Sequence, residues 1–428
     1  MLEIHLRTLT PLWTGGVDQT CDRLHETGLI GSLRWWYEAL VRGLCGYACD
    51  PTQHGCMFDE ERYRKSKAPD ERQRLRDAGL CDACQVFGAT GWARKFKLQA
   101  SADHRLLEQD DRPILIPSGR KRQTQKGEQA GGWFLQGSSY WGNISLRLLP
   151  LRPLSPFARA GLEASLGLIF RHASLGAKSS NGYGVVVPQN QWSIPDLSAL
   201  SANPGDRSAL PDLRDFFFTK LRFSPPSSSD WWRKIQGIRQ AIEGKLDDES
   251  SPKPLRMAKD ELEEIYGKGV LPIAPAVRDW LRYLWRNNLN SCETHFVFGE
   301  ASAVCPHCCH KGFREDKDNR SRYSCPDCGK TFSKGEEIPT TASKVHVSYA
   351  YRQGEKWEFR IWGWLPCKGK LSNRDAFLNR LHDALQGTDL AAVFGSQTVV
   401  PQMTEWHALE CSQQDGLVYL QELLGGAQ

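Results

Sequence analysis

Apolar and polar residues alternate over residues 2–9, with Leu2, Ile4 and Leu6 on one face, and this period of two predicts a strand. Over residues 33–42 (Leu33-Arg34-Trp35-Trp36-Tyr37-Glu38-Ala39-Leu40-Val41-Arg42) the spacing becomes helical. Ser32, after Gly28-Leu29-Ile30-Gly31, is the expected N-cap. Further on, the pattern predicts strands at 92–100 and 143–149, a helix at 156–172 and a short strand at 185–187. Strand, helix, strand, strand, helix, strand is the split βαβ, ferredoxin-like order.

Residues 188–211 are rich in Pro, Ser, Asn and Gly and read as a connection. Beyond it, 216–223 predicts a fresh first strand, with helical stretches at 231–246, 252–265 and 275–285 and a strand at 343–351. Both halves carry an Arg/Trp-rich helix, a Phe-Gly step (Phe87-Gly88 and Phe298-Gly299) and a cysteine-rich insertion. The expected fold class is therefore α+β, with two tandem ferredoxin-like (RRM-like) domains and inserted zinc-binding modules. Residues 1–190 form the first, with a Cys-rich insertion at 45–84, and 191–211 form a linker. Residues 212–428 form a degenerate second copy with a zinc ribbon at 300–335.

A length of 428 residues fits two domains. The start of the chain lacks the signal-peptide pattern and no apolar run is long enough to span a bilayer, so a cytoplasmic protein is expected. In that compartment 14 cysteines are expected to be metal ligands or thiols rather than disulfides. The pairs Cys305/Cys308 and Cys325/Cys328 are two knuckles able to close a tetrahedral four-sulfur zinc site. With all four positions filled the site would be structural, and His307, Cys309 and His310 are possible substitute ligands. A second structural zinc is expected on Cys49, Cys56, Cys81 and Cys84, with Cys45 or His54 as substitutes. Cys21, Cys292, Cys367 and Cys411 are scattered and read as core or surface thiols.

The net charge of +5 permits a polyanionic partner without requiring one. The segment Leu175-Gly176-Ala177-Lys178-Ser179-Ser180-Asn181-Gly182-Tyr183-Gly184 has the composition of a phosphate-cradling loop, though not the spacing of a nucleotide P-loop. Gly176, Lys178, Ser179, Ser180, Asn181 and Gly182 are its candidate RNA contacts, with Arg171 just before it. Arg34, at the expected helix opening, is a second anion candidate, against a salt bridge to Glu38. Arg94, Lys95 and Lys97, interleaved with aromatics, suit a backbone-tracking strand. Arg120, Lys121 and Arg122 lie in an expected basic loop over 119–127.

The strings Thr10-Pro11-Leu12-Trp13-Thr14-Gly15-Gly16, Gly28 to Tyr37, Phe87-Gly88 and Gly176 to Gly184 resemble the RAMP superfamily of CRISPR proteins. Within it they are similar to the first RAMP subunit of the Cmr (type III-B) effector complex. The resemblance covers roughly residues 1–190 and thins beyond, resting there on residues 271–281 and Phe298-Gly299. It implies tandem ferredoxin-like domains, a glycine-rich loop at an RNA surface, and guide RNA, target RNA and other effector subunits as partners, with no catalysis of its own. The ribbon at 305–328 is not part of the superfamily pattern.

Two rival functions follow from the residues. A metal-independent ribonuclease that cuts precursor guide RNA needs a general base and acid, for which His25 and His172 are the available histidines. A zinc-dependent adaptor without guide RNA would use the ribbon as its interface. The His382-Asp383 pair alone does not make a metal phosphohydrolase site.

Overall fold

The computed structural model describes the chain except for residues 1, 17–20, 54, 107–113, 125–126, 136–138, 191, 194–195, 203–204, 243–258, 286, 301–303, 306, 311–313, 316–321, 334–341, 397 and 426–428. The side chains of 104–106, 114–124, 127–135, 259 and 314–315 also lie outside the described set. The substitute ligand His54, parts of the 231–246 and 252–265 helices and much of the ribbon's charged loop fall there.

The first half runs β1 (Leu2–Thr8), α1 (Glu26–Gly43), α2 (Glu60–Lys65), α3 (Glu71–Asp77), α4 (Asp82–Phe87), β2 (Phe96–Leu106), β3 (Ile114–Thr124), β4 (Gly127–Leu135), β5 (Ser139–Pro150), α5 (Pro156–His172) and β6 (Val186–Pro188). Its sheet is ordered β2-β5-β1-β6 with every pair antiparallel, for example Leu6 opposite Ile144. With the β3–β4 hairpin set aside, this is fourth-first-third-second, the split βαβ order read from the alternation. Ser155 caps α5 by accepting from the Ala158 N–H at 3.2 Å, and Pro156 suits the first turn.

Three expectations change here. Helix α1 begins at Glu26, so Ser32 lies inside it and Gly31-Ser32 is no helix N-terminus. Its start is fixed from outside, because the His25 N–H donates to Thr14 Oγ1 at 2.9 Å. Burial of Leu29, Leu33, Trp36, Tyr37 and Leu40 then outweighs the low helix propensity of Gly28 and Gly31. The strand expected from 92 begins at Phe96, since residues 88–94 form a turn in which Ala89 and Trp92 exchange backbone hydrogen bonds. The expected basic loop at 119–127 is mostly hairpin: Arg120, Lys121 and Arg122 lie on β3, with Lys121 opposite Ala130 and Arg122 opposite Gln129.

The second half runs β7 (Phe216–Phe223), α6 (Ile238–Ile242), α7 (Lys259–Gly267), β8 (Val270–Leu271), α8 (Ala274–Leu284), α9 (Ser291–Phe298), β9 (Arg314–Glu315), β10 (Arg322–Ser324), β11 (Thr331–Ser333), β12 (Val345–Val347), β13 (Ala350–Gln353), β14 (Lys356–Trp364), α10 (Arg374–Gln386), β15 (Gln402–Ala408) and α11 (Gly416–Gly425). Strands β12 and β13 both pair with β14, as one interrupted strand. The sheet order is then β15-β7-β14-β12/β13, with β8 added beside β13. This is again fourth-first-third-second and antiparallel, so the faint repeat in the sequence is a repeat of topology.

The second sheet is buried on both faces, which is why Phe216-Phe217-Phe218 reads as an unbroken apolar run. Phe217, Leu221, Phe359 and Ile361 pack under α8 and α10 in the second core. Phe216, Phe218, Trp362 and Trp364 instead join the first domain's core, where the Trp364 ring lies 4.2 Å from Trp35 and 4.6 Å from Trp36. Helix α11 returns to lie on α5, closing that interface with Leu420, Leu423 and Leu424.

Arg360 on β14 spans the junction. Its guanidinium donates to the carbonyls of Ala173 (2.9 Å) and Phe170 (3.0 Å) at the end of α5, and to the Tyr351 hydroxyl (3.1 Å). A cation there satisfies orphan carbonyls and complements the helix dipole. Arg360→Ala leaves buried carbonyls unmet and is expected to cost about 3 kcal/mol. Denaturant unfolding checks this; a loss below about 1 kcal/mol would show that the contact is dispensable.

The cysteines left over are not all thiols. Cys292 is bonded to Cys309 and Cys367 to Cys411, contrary to the expectation of free scattered cysteines. The fold brings the start of α9 against the first knuckle, and the end of β14 against the segment after β15. Sequence separations of 17 and 44 hid both pairings. Cys21 is a buried thiol, as expected.

Candidate nucleic-acid interface and cysteine centres

The glycine-rich loop leaves the end of α5 and lodges between the two sheets. Gly176 has φ +82°, and a Cβ there would stand 2.7 Å from the Trp13 carbonyl oxygen. Gly182 has φ +95°, and a Cβ would meet the Tyr349 ring at 2.5 Å and its backbone nitrogen at 2.8 Å. Both positions need glycine for close approach. The backbone is pinned from both sides: the Gly176 N–H donates to Ser32 Oγ (3.3 Å), the Ala177 N–H to Trp13 O (2.9 Å) and the Tyr349 N–H to Gly182 O (3.1 Å). Ser32 thus serves the loop from inside α1.

Ser179 to Asn181 make one 3-10 turn, entered through Lys178 at φ +57°. The first N–H groups of such a turn, at Ser179 and Ser180, have no acceptor within it. Lys178 Nζ stands 4.2 Å over the Trp13 ring, and partial burial lowers its pKa. Ser179 Oγ lies 3.2 Å from His346 Nδ1, and burial holds that histidine down, to about 3. Arg278 on α8 donates to the Ser180 carbonyl at 3.2 Å. The arrangement is a rigid turn offering an ammonium, hydroxyls, an amide and backbone donors, the groups that bind phosphate and ribose. Trp13, Arg278, His346 and Tyr349 were not singled out by sequence reading. Three of them come from the other half of the chain, which only the tertiary fold brings near.

The remaining candidates divide. Lys97 is exposed on β2 and Arg94 is half-buried with Nε donating to Phe96 O at 2.8 Å. The hairpin strand bearing Arg120, Lys121 and Arg122 runs beside α6 and α8, on the helix that also reaches Ser180. Lys95, Arg171 and Arg34 have internal partners instead. Lys95 is 4% exposed with Nζ 3.3 Å from Glu71 Oε2. Arg171 donates to the Leu424 carbonyl in α11, away from the loop. Arg34 binds Glu38 Oε1 (2.8 Å), Cys84 Sγ (3.2 Å) and Gly88 O (3.4 Å), so it braces the cysteine insertion against α1. Of the two histidines weighed as acid or base, His25 Nε2 is 2.6 Å from Asp22 Oδ1, and His172 is buried against α11.

Sulfurs of Cys49, Cys56, Cys81 and Cys84 lie within 4.8 Å of one another, and so do those of Cys305, Cys308, Cys325 and Cys328. The closest pairs are 3.5 to 3.7 Å apart. A tetrahedron with zinc–sulfur bonds of about 2.3 Å has edges of about 3.8 Å, so both donor sets fit that ion. Cys45 Sγ donates instead to Gly205 O (3.4 Å), Cys309 is in its disulfide, and His307 and His310 are exposed outside the second set. In the first set, hydrogen bonding from Cys84 holds Cys81 down, to about 5, while burial pushes Cys49 up, to about 12. Loading a dication therefore releases protons.

The first module has further support. Asp82 beside it is buried, and burial alone would raise its carboxyl; Arg72 (2.8 Å) and Arg76 (2.6 Å) hold it below the usual range. In the second, the Cys305 and Cys325 N–H groups donate to His310 O (2.9 Å) and Lys330 O (2.8 Å), two matching knuckles over Phe332. Cys325→Ser is expected to lower metal content and speed amide exchange around residues 305–333, while exchange in the two sheets stays unchanged. Full metal retention in elemental analysis would contradict the assignment.

Residues 5–187 match the family model of the RAMP superfamily. This part of the chain is similar to RAMP proteins. It contains the glycine-rich loop, α1 and the first cysteine module. A search of curated proteins gives no match. Among solved structures, Cmr1 from Pyrococcus furiosus in its apo form aligns at 11% identity and TM-score 0.29 over 89% of this chain and 96% of that one. A chain of the type III-B Cmr-beta complex bound to cognate target RNA and AMPPnP aligns at 12% identity and TM-score 0.36, over 89% and 98%. A chain of Cmr-beta bound to cognate target RNA aligns at 11% and 0.34, over 99% of each. Scores this low carry no function across. No helix among the described residues is long and apolar enough to cross a membrane.

Proposed function

We propose that this chain is a non-catalytic RNA-binding subunit of a type III-B CRISPR (Cmr) effector ribonucleoprotein, contacting guide or target RNA at one end of the complex. The observation that carries the reading is that the segment matching the RAMP superfamily includes the glycine-rich loop, held rigid at the junction of two sheets by contacts from both. The two repeated sheet topologies are tandem ferredoxin-like domains, and the two four-cysteine sets hold structural zinc. RNA runs over Lys178, Ser179, Ser180 and Asn181, with Lys97 and the Arg120-Lys121-Arg122 strand as flanking cations. The non-catalytic reading is supported by the burial of His172 and the Asp22 partner of His25: among the described residues these two histidines form no convergent acid–base pair at the loop.

A gel-shift titration with end-labelled guide and target RNAs tests both parts. The intact RNA should shift, and Lys178→Ala/Ser179→Ala/Asn181→Ala should weaken binding by roughly tenfold and reduce the salt slope by about one. Unchanged affinity in the triple variant sinks the loop assignment. Discrete cleavage products that vanish in His25→Ala would make the chain a RAMP-type endoribonuclease instead.

A further inference from the structure

Outside the cysteine sets, one cluster of metal-ligating side chains among the described residues stands at the seam between the halves. His172 closes α5, while Glu405 and His407, two residues apart on β15, point the same way toward it. Their ligand atoms lie within 4.8 Å of one another: Glu405 Oε1 is 3.4 Å from His172 Nδ1 and 3.1 Å from His407 Nε2. Ligands about 2.05 Å from a tetrahedral zinc stand about 3.3 Å apart, so these spacings suit three shared bonds.

The orientation of His172 is the second observation. It is 1% exposed, and its Nε2 lies 2.5 Å from the Leu423 carbonyl oxygen, which can only accept. The Nε2 proton is therefore fixed there, which leaves the lone pair on Nδ1, 3.4 Å from Glu405 Oε1. Buried Nδ1 has no hydrogen-bond partner. A second ring nitrogen anchored on a backbone carbonyl is the usual support of a metal-binding histidine. Glu405 is likewise oriented, since Lys220 holds its other oxygen, Oε2, at 2.5 Å. Glu405 and His407 keep partial exposure, 16% and 17%, which gives an ion an entry path.

We propose that His172, Glu405 and His407 form a third metal site, of two-histidine, one-carboxylate type, binding zinc or a similar borderline divalent cation. The ion clips the end of α5 to the edge strand of the second sheet, one turn from the root of the glycine-rich loop. It is distinct from the thiolate sites in ligand chemistry and does not depend on the RNA-binding reading.

Elemental analysis and cobalt substitution of the full-length protein test it. His407→Ala, at a partly exposed edge position, should lose about one metal ion per chain relative to wild type while keeping the cysteine-bound metal. In cobalt-loaded protein the same variant should lose weak visible absorption and retain the intense thiolate-to-cobalt bands. Glu405→Gln, which keeps the side chain's shape, should reproduce the loss and guards against a folding artefact. Equal metal content and identical cobalt spectra in wild type and both variants would overturn the site.

Discussion

The end of α5 is the point on which the structure turns. Its carbonyls at Phe170 and Ala173 would be orphaned in the interior, and Arg360 from the opposite half meets them. Three residues later the glycine-rich loop begins, so the grip that joins the two sheets also sets where the loop can lie. The aromatic seam of Trp35, Trp36, Phe216 and Trp364 supplies the apolar area around that grip. A sheet buried on both faces leaves little room for the halves to slide. The loop can then hold left-handed backbone at Gly176, Lys178 and Gly182 without relaxing.

The two cysteine modules solve a different problem. Each is a charged insertion with little core of its own, one between α1 and β2 and one between α9 and β12. They occupy related but unequal places in the repeat: Phe87-Gly88 follows the first module, whereas Phe298-Gly299 precedes the second. Arginines from the domain's own helix reach both steps, Arg34 to the Gly88 carbonyl and Arg278 to the Phe298 carbonyl. Metal binding would supply folding free energy to each module, and Arg34 and Asp82 tie the first to the body of the domain.

Much of this was legible in the sequence where local physics decides. The alternation at Leu2 to Leu6, the Ser155-Pro156 start of α5 and the knuckles Cys305/Cys308 and Cys325/Cys328 each carry their own signal. What failed were the features set by distant partners. Ser32 looks like a cap because Gly31 precedes it, but Thr14 anchors the helix two turns earlier. Lys95 and Arg171 look like surface cations because Glu71 and the Leu424 carbonyl are invisible along the chain. The disulfides of Cys292 and Cys367 fail in the same way, and Trp13, Arg278 and His346 join the loop only through tertiary contact.

The central claim is that RNA runs over the loop between the sheets. Photo-crosslinking of the native complex, purified through a tag on this chain and read by mass spectrometry, tests it most directly. The account predicts nucleotide adducts on peptides containing Trp13, Lys178 or the 120–122 strand. Purification of the chain without RNA, or adducts confined to the far face of α10, would contradict it.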